Sequence, residues 1–124
     1  MQLGEIFYHE TDKAIGFDLR NKYHIYICPD DHQAGHTFLF INSDGYPCDC
    51  PIVPKDYPFL MHESYVCCSS AVFYTDEQLA KFPNKPVGRL SAQYMQQLFN
   101  HIQAGEAMVR WQEGRVCTAL KAAF

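Results

Sequence analysis

The order in which residues 57–105 change character constrains this chain more than any other feature. An apolar run, Tyr57-Pro58-Phe59-Leu60, leads into the β-prone Ser64-Tyr65-Val66-Cys67-Cys68. A polar stretch with a short helical turn comes next, and then one amphipathic helix. Ser91 is an N-cap by residue type, and Leu90 and Met95 stand at the positions of a hydrophobic staple. Tyr94, Met95, Leu98, Phe99 and Ile102 recur at helical spacing as one apolar stripe. The spacing predicts a helix over 91–104 with Gly105 as its stop. Strands running into a single terminal helix are the order of a small barrel closed by that helix.

The residues upstream supply the strands. Gly4-Glu5-Ile6-Phe7-Tyr8 reads as the first, and His9 to Lys22 as a long polar loop punctuated by Gly16 and carrying Asp18 and Arg20. Tyr23 to Cys28 is a strand ended by Pro29-Asp30-Asp31. Gly35 opens another through Asn42, apolar on both faces and hence central. Ser43-Asp44-Gly45-Tyr46-Pro47 is a turn, and Cys48 to Val53, hemmed by prolines, is an edge segment. Thr75 caps a short helix over 75–82 that Pro83-Asn84-Lys85-Pro86 breaks. Beyond Gly105, Met108, Trp111, Val116, Cys117 and Leu120 line a second, less regular helix interrupted near Gly114. The expected fold is mainly β with α: one domain over 1–124, with a strongly curved antiparallel barrel of SH3-like type over 3–74. An α+β roll is the close alternative.

Composition narrows the functional classes. A hydrophobic content of 48% fits a globular chain rather than a disordered one. No apolar run approaches the ~20 residues of a membrane span, so no membrane partner is expected. Met1 to Glu5 has no basic region followed by an apolar stretch, which makes the cytoplasm the default location. In that setting Cys28, Cys48, Cys50, Cys67, Cys68 and Cys117 are expected as free thiols. The net charge of −4 is uneven: residues 1–80 hold four Lys/Arg against twelve Asp/Glu, and residues 81–124 six against two. An acidic body matches a polyphosphate poorly, whereas the basic tail offers a contact surface.

Several chemistries find little support. Cys48-Asp49-Cys50 and Cys67-Cys68 lack the paired-knuckle spacing of structural zinc sites, and Gly35 stands against a helical His32/His36 pair. A cysteine nucleophile with His62 or His36 as base has no recognisable surrounding motif. The dispersed glycines form no phosphate-binding loop, so no cofactor is expected. Cleavage of an RNA phosphodiester needs less: a base, an acid and a cation at the phosphate. Arg20, Lys22, His24, His36, Asn42 and Ser43 converge if the loop after the first strand folds over the ends of the next two. Arg20 would then steady the phosphate through its fork of donors.

The layout resembles the MazF/PemK-like superfamily of plasmid-maintenance toxins. The resemblance runs through Gly4-Glu5-Ile6-Phe7, Phe38-Leu39-Phe40-Ile41-Asn42-Ser43, Leu79, Gly88-Arg89-Leu90-Ser91 and the helix carrying Tyr94, Met95, Leu98 and Ile102, and covers most of residues 3–104. It implies an SH3-like barrel that cleaves single-stranded RNA without a metal. It also implies a growth inhibitor working as a homodimer, neutralised by a partner antitoxin. Arg20 would bind and stabilise the phosphate, and His24 or His36 would carry protons. Lys22 and Asn42 would contact substrate, and Ser43 or Ser69 would fill the Ser/Thr position at a strand end. Lys22-Tyr23-His24 stands where those toxins have an Arg-Pro pair. A barrel that kept the fold and lost the chemistry is the alternative: a protein-binding module with Tyr57, Tyr65, Tyr74, Trp111 or the basic C-terminal segment as contacts.

Overall fold

Alternating apolar residues on the first three strands bury both faces of a sheet, and the remaining elements serve to cover them. The computed structural model describes residues 1–14 and 18–124. Strands β1 (Glu5–Thr11), β2 (Arg20–Asp30) and β3 (Gly35–Asn42) form its centre. Around them lie β4 (Cys50–Ile52), β5 (Ser64–Val66), β6 (Val72–Thr75) and β7 (Gly88–Arg89), with helices α1 (Asp76–Leu79), α2 (Ala92–Gly105) and α3 (Arg110–Lys121). The strand order is β4-β5-β3-β2-β1-β7, and β6 also pairs with β3. The result is the expected mixed β and α architecture: a curled antiparallel half-barrel backed by C-terminal helices, consistent with a small SH3-like barrel.

On one face Ile6, Ile25, Leu39 and Ile41 pack into the main core together with Tyr94, Met95, Leu98, Phe99 and Ile102 of α2. That stripe is the complete set of buried residues on the helix. Ser91 caps it, accepting from the Tyr94 amide at 3.0 Å, and the Tyr94 hydroxyl donates to the Pro51 carbonyl at 2.8 Å, tying α2 to β4. On the opposite face Phe7, Tyr26, Phe38, Tyr74 and Phe82 form a second, aromatic cluster.

The second edge of β3 is shared. Its first half, Gly35 to Phe38, pairs with β6, and its last two residues, Ile41 and Asn42, pair with β5. Between them the chain leaves the sheet after the Cys67 amide has bonded the Phe40 carbonyl at 2.9 Å. The Cys68 amide turns instead to the Asp49 carboxylate at 2.9 Å, which is why β5 ends at Val66 and not at Cys68.

Other expectations need correction. The loop between the first two strands is shorter than predicted, because β1 continues to Thr11 and β2 already begins at Arg20. Cross-strand pairing from Ile6↔Ile25 to Thr11↔Arg20 satisfies backbone that the polar sequence disguised. Gly16 lies outside the described residues. β2 also runs past Pro29 to Asp30, paired with His36 and Gly35 after a register shift between Tyr26 and Cys28. Strand β6 was not anticipated, since it runs without a break into the Thr75 cap. That cap is a full capping box with Gln78, and α1 stops at Leu79. Gly105 remains helical; Glu106 takes the left-handed conformation, with φ 49°. The glycine answers instead to close approach, for a Cβ there would lie 3.1 Å from the Cys48 Cβ. Gly114 does not interrupt α3, because it faces open space. Met108, Val116, Cys117 and Leu120 are buried as expected, but Trp111 is 63% exposed. Arg115 of α3 pairs with the buried Asp30, and Gln112 accepts from the Ala71 amide at 3.2 Å, so the C-terminal segment docks on its own barrel. No helix among the described residues is long and apolar enough to cross a membrane.

Candidate functional site

Side chains two apart on a strand share a face. Arg20, Lys22, His24 and Tyr26 of β2 therefore project to the same side, beside Asn42, Phe40, Phe38 and His36 of β3. Phe82 and Tyr74 roof one end of this face. The other end stays open, because the chain between β5 and β6 has left the sheet there. The opening is a cleft of about 560 Å³. Arg20, Lys22, Asn42, Ser43 and Ser69 all line it, so five of the seven expected site residues come together.

Lys22 and Asn42 lie just beyond the Tyr23↔Ile41 pair of the ladder, and the Lys22 Nζ donates to the Asn42 Oδ1 at 2.8 Å. Burial holds the Lys22 ammonium below the usual lysine value, and the neighbouring Arg20 charge adds to this, while Cys67 opposes it. Arg20 is 3.7 Å from the exposed Asp18 carboxylate, a loose surface pair and the one ion pair of its fork among the described residues. Lys13 joins them at the rim, so three of the four Lys/Arg in residues 1–80 line one cleft of an otherwise acidic body. A sum over the sequence conceals this local gathering of positive charge.

Two of the expected residues lie elsewhere. His24 is on the right face but fully buried, one alternation too far under the roof. Its ring lies 5.2 Å from that of Phe82 and 5.0 Å from that of Phe40. Its Nδ1 is 2.8 Å from the Lys22 carbonyl, which can only accept, so Nδ1 carries the proton and Nε2 accepts from the Tyr74 hydroxyl at 2.9 Å. Tyr74 in turn accepts from the Thr11 hydroxyl at 2.6 Å, and Thr11 accepts from the Lys13 amide at 3.1 Å. Every member of this chain is satisfied. Burial, against the favourable pull of the Lys22 carbonyl, pushes the His24 imidazole down to about 4. A group held neutral and sealed from solvent cannot exchange protons with a substrate in the cleft.

His36 lies six residues from Asn42 along β3, roughly 20 Å away. It bridges the Tyr26 hydroxyl at 2.7 Å and the Asp76 carboxylate at 3.0 Å, joining the sheet to α1. Its role there is structural.

Sequence reasoning missed Lys13, Asp44, Tyr46, Cys67 and Ser70, which also line the cleft. Asp44-Gly45-Tyr46 registers only as a turn in the sequence, yet the turn forms a wall of the site. Gly45 lies against the Tyr65 ring so closely that a Cβ there would clash with it. Asp49 is committed, accepting from the Tyr46 amide at 3.0 Å and the Cys68 amide at 2.9 Å. Asp44 is the lining carboxylate without such a commitment among the described residues.

All six cysteines are free thiols. Burial raises the pKa of Cys28, Cys48, Cys50, Cys68 and Cys117, which suppresses the reactive thiolate. Among the described residues no group of three or more His, Cys, Asp or Glu is placed to hold a metal ion. Of the four aromatics considered for partner contact, Tyr57 and Tyr74 are buried and Tyr65 half-buried, leaving Trp111 exposed. No protein-family model matches the chain, and no curated protein sequence matches it significantly.

Proposed function

We propose that this chain is a toxin-like, metal-independent endoribonuclease acting on single-stranded RNA. The observation that carries the reading is the convergence of Arg20, Lys22, Asn42, Ser43 and Ser69 on one solvent-open cleft. Arg20 and Lys22 neutralise the non-bridging oxygens of the scissile phosphate, where negative charge builds as the 2′-oxygen attacks. Ser43, Ser69 and Asn42 orient the phosphate by hydrogen bonds. The new bond joins the 2′-oxygen to phosphorus and the bond to the 5′-oxygen breaks, leaving a 2′,3′-cyclic phosphate and a 5′-hydroxyl. Asp44 takes the 2′-hydroxyl proton. Lys22, whose ammonium gives up its proton more readily than an exposed lysine, protonates the leaving oxygen. In this reading the protein works as a homodimer and is neutralised by an antitoxin.

The test is digestion of a long single-stranded RNA in EDTA by the wild type and by Arg20→Ala. Expected are new 5′-hydroxyl ends from the wild type and a loss of about 100-fold or more in the variant, the scale of removing one charge-stabilising donor. Intact RNA in the presence of folded, antitoxin-free protein would overturn the reading. The displacement of both expected histidines from the cleft favours a second one in that case, a barrel that binds a protein partner through Trp111 and the basic C-terminal segment.

A further inference from the structure

We propose that the outer edge of β1, from Tyr8 to Glu10, docks an extended basic segment of a partner protein, which adds a strand to the sheet. This goes beyond the ribonuclease reading and does not rest on it. On that edge β7 pairs only with Glu5 and Ile6, and no other strand follows among the described residues. The Leu90 amide bonds the Gly4 carbonyl at 2.9 Å, and the Val87 amide bonds the Ile6 carbonyl at 2.7 Å. Successive residues of a strand turn their backbone groups to alternate edges, so those of Tyr8 and Glu10 also point outward, past the end of β7. The chain before β7 is poor material for extending the ladder. Pro83 and Pro86 have no amide to donate, and Phe82 has crossed to one face of β1, where it stacks on the His9 ring at 4.0 Å.

Two side chains decide what kind of strand fits. Tyr8 and Glu10 share the face opposite to His9, and both are exposed, Tyr8 at 45%. The tyrosine is nevertheless held in place: its ring lies 4.6 Å from that of Tyr23, which packs on Phe59 at 5.0 Å and donates from its hydroxyl to the Phe59 carbonyl at 3.2 Å. Beside it on that face lies a pocket of about 220 Å³ lined by Ile41, Leu60 and Met61, the last 92% exposed. An aromatic residue opposite Tyr8 therefore covers apolar surface that the barrel core leaves in water.

Glu10 sets the charge of the occupant. Its carboxylate forms no ion pair among the described residues, and the exposed Asp12 follows it. Lys13, Arg20 and Lys22 line the cleft, which leaves Lys55 as the one base of residues 1–80 that does not. Arg89 of β7 stands opposite Glu5, at the other end of the edge, and donates to the Gln2 Oε1 at 3.1 Å. A lysine or arginine two residues from the aromatic one meets the Glu10 carboxylate directly across the ladder. A second copy of β1 supplies no such base, because Glu5 to Thr11 contains no lysine or arginine.

The experiment reads the fluorescence anisotropy of labelled heptapeptides titrated with the protein. The basic peptide alternates threonine with lysine, tyrosine and lysine, and a second peptide carries glutamate for both lysines. Two more copies of the basic peptide are N-methylated, one at the tyrosine and lysines, whose amides would face β1, the other at the two inner threonines, whose amides would face solvent. The basic peptide should bind, and the glutamate peptide should bind roughly ten-fold more weakly. Methylation toward β1 should abolish binding, whereas methylation toward solvent should leave it within about two-fold, because only the first removes ladder donors. Glu10→Lys should reverse the order of the basic and acidic peptides, and Tyr8→Ala should weaken the basic peptide about five-fold. Amide hydrogen exchange at Tyr8 and Glu10 should slow when the basic peptide is bound. Failure of the basic peptide to bind, equal binding of the two methylated copies, or an unchanged preference in Glu10→Lys would each refute the docking edge. Peptide-free protein that sediments as a dimer with those two amides already protected would assign the edge to a second copy and overturn the proposal.

Discussion

Acidification should destabilise this fold through His24, by an amount that its burial sets. The imidazole is inaccessible to solvent, and its pKa is pushed from 6.5 to about 4 by desolvation. In the unfolded chain it titrates near 6.5. Between these values the unfolded state binds a proton that the native state refuses, so stability is fully present above pH 6.5 and falls as the pH drops toward 4. With 1.36 kcal/mol per pKa unit, the full loss is about 3 kcal/mol, of which about 1.4 kcal/mol has gone by pH 5.5. That is a large share of the 5–15 kcal/mol typical of a domain. His9 is also held below its usual value by burial, and carboxylates contribute as well, so the total acid response is not the test. The test is the difference between the wild type and His24→Gln, which keeps a side-chain amide but does not titrate. Urea unfolding at pH 7.5, 6.5, 5.5 and 4.5 should give a difference that shrinks by those amounts as the pH falls. A difference independent of pH, or an NMR titration of His24 with a midpoint near 6.5, would refute the reasoning.

Three further outcomes follow from packing and capping. Tyr74→Phe removes the hydroxyl between His24 and Thr11 and leaves the buried His24 Nε2 acceptor and the Thr11 hydroxyl donor unpaired, which should cost about 1–3 kcal/mol in urea unfolding at pH 7.5. Leu98→Ala empties a fully buried position of the α2 stripe and should cost about 2–5 kcal/mol by the same measurement. Ser91→Ala removes the cap of that helix and should lower thermal stability by about 1 kcal/mol, visible by circular dichroism as an earlier transition.

The helix stripe, the Thr75 and Ser91 caps and the central position of β3 were legible in the sequence, because each depends on residue type at a fixed local spacing. Register and sheet edges were not. Polar residues such as His9, Glu10 and Asn21 look like loop but lie in strands, because pairing supplies what their side chains do not announce. The site was legible where cross-strand neighbours share a face, as Arg20, Lys22 and Asn42 do. It misled at His24, since alternation tells which face a residue takes and nothing of what covers it. Phe82, the residue that roofs His24, arrives from 58 positions later, beyond the reach of any local pattern.

The divided edge of β3 has a consequence for how such a site can change. Cys68 and Val72 are anchored, one by the Asp49 carboxylate and the other by its place opposite Phe38. Ser69 and Ser70, between those anchors, belong to the cleft and to no ladder. Residues there can be exchanged, or their number altered, without shifting a contact of α2 or a rung of the central sheet. At Ser69 and Ser70, therefore, the lining of the cleft is separable from the contacts that hold the barrel together, and a lineage could revise it there while inheriting the barrel intact.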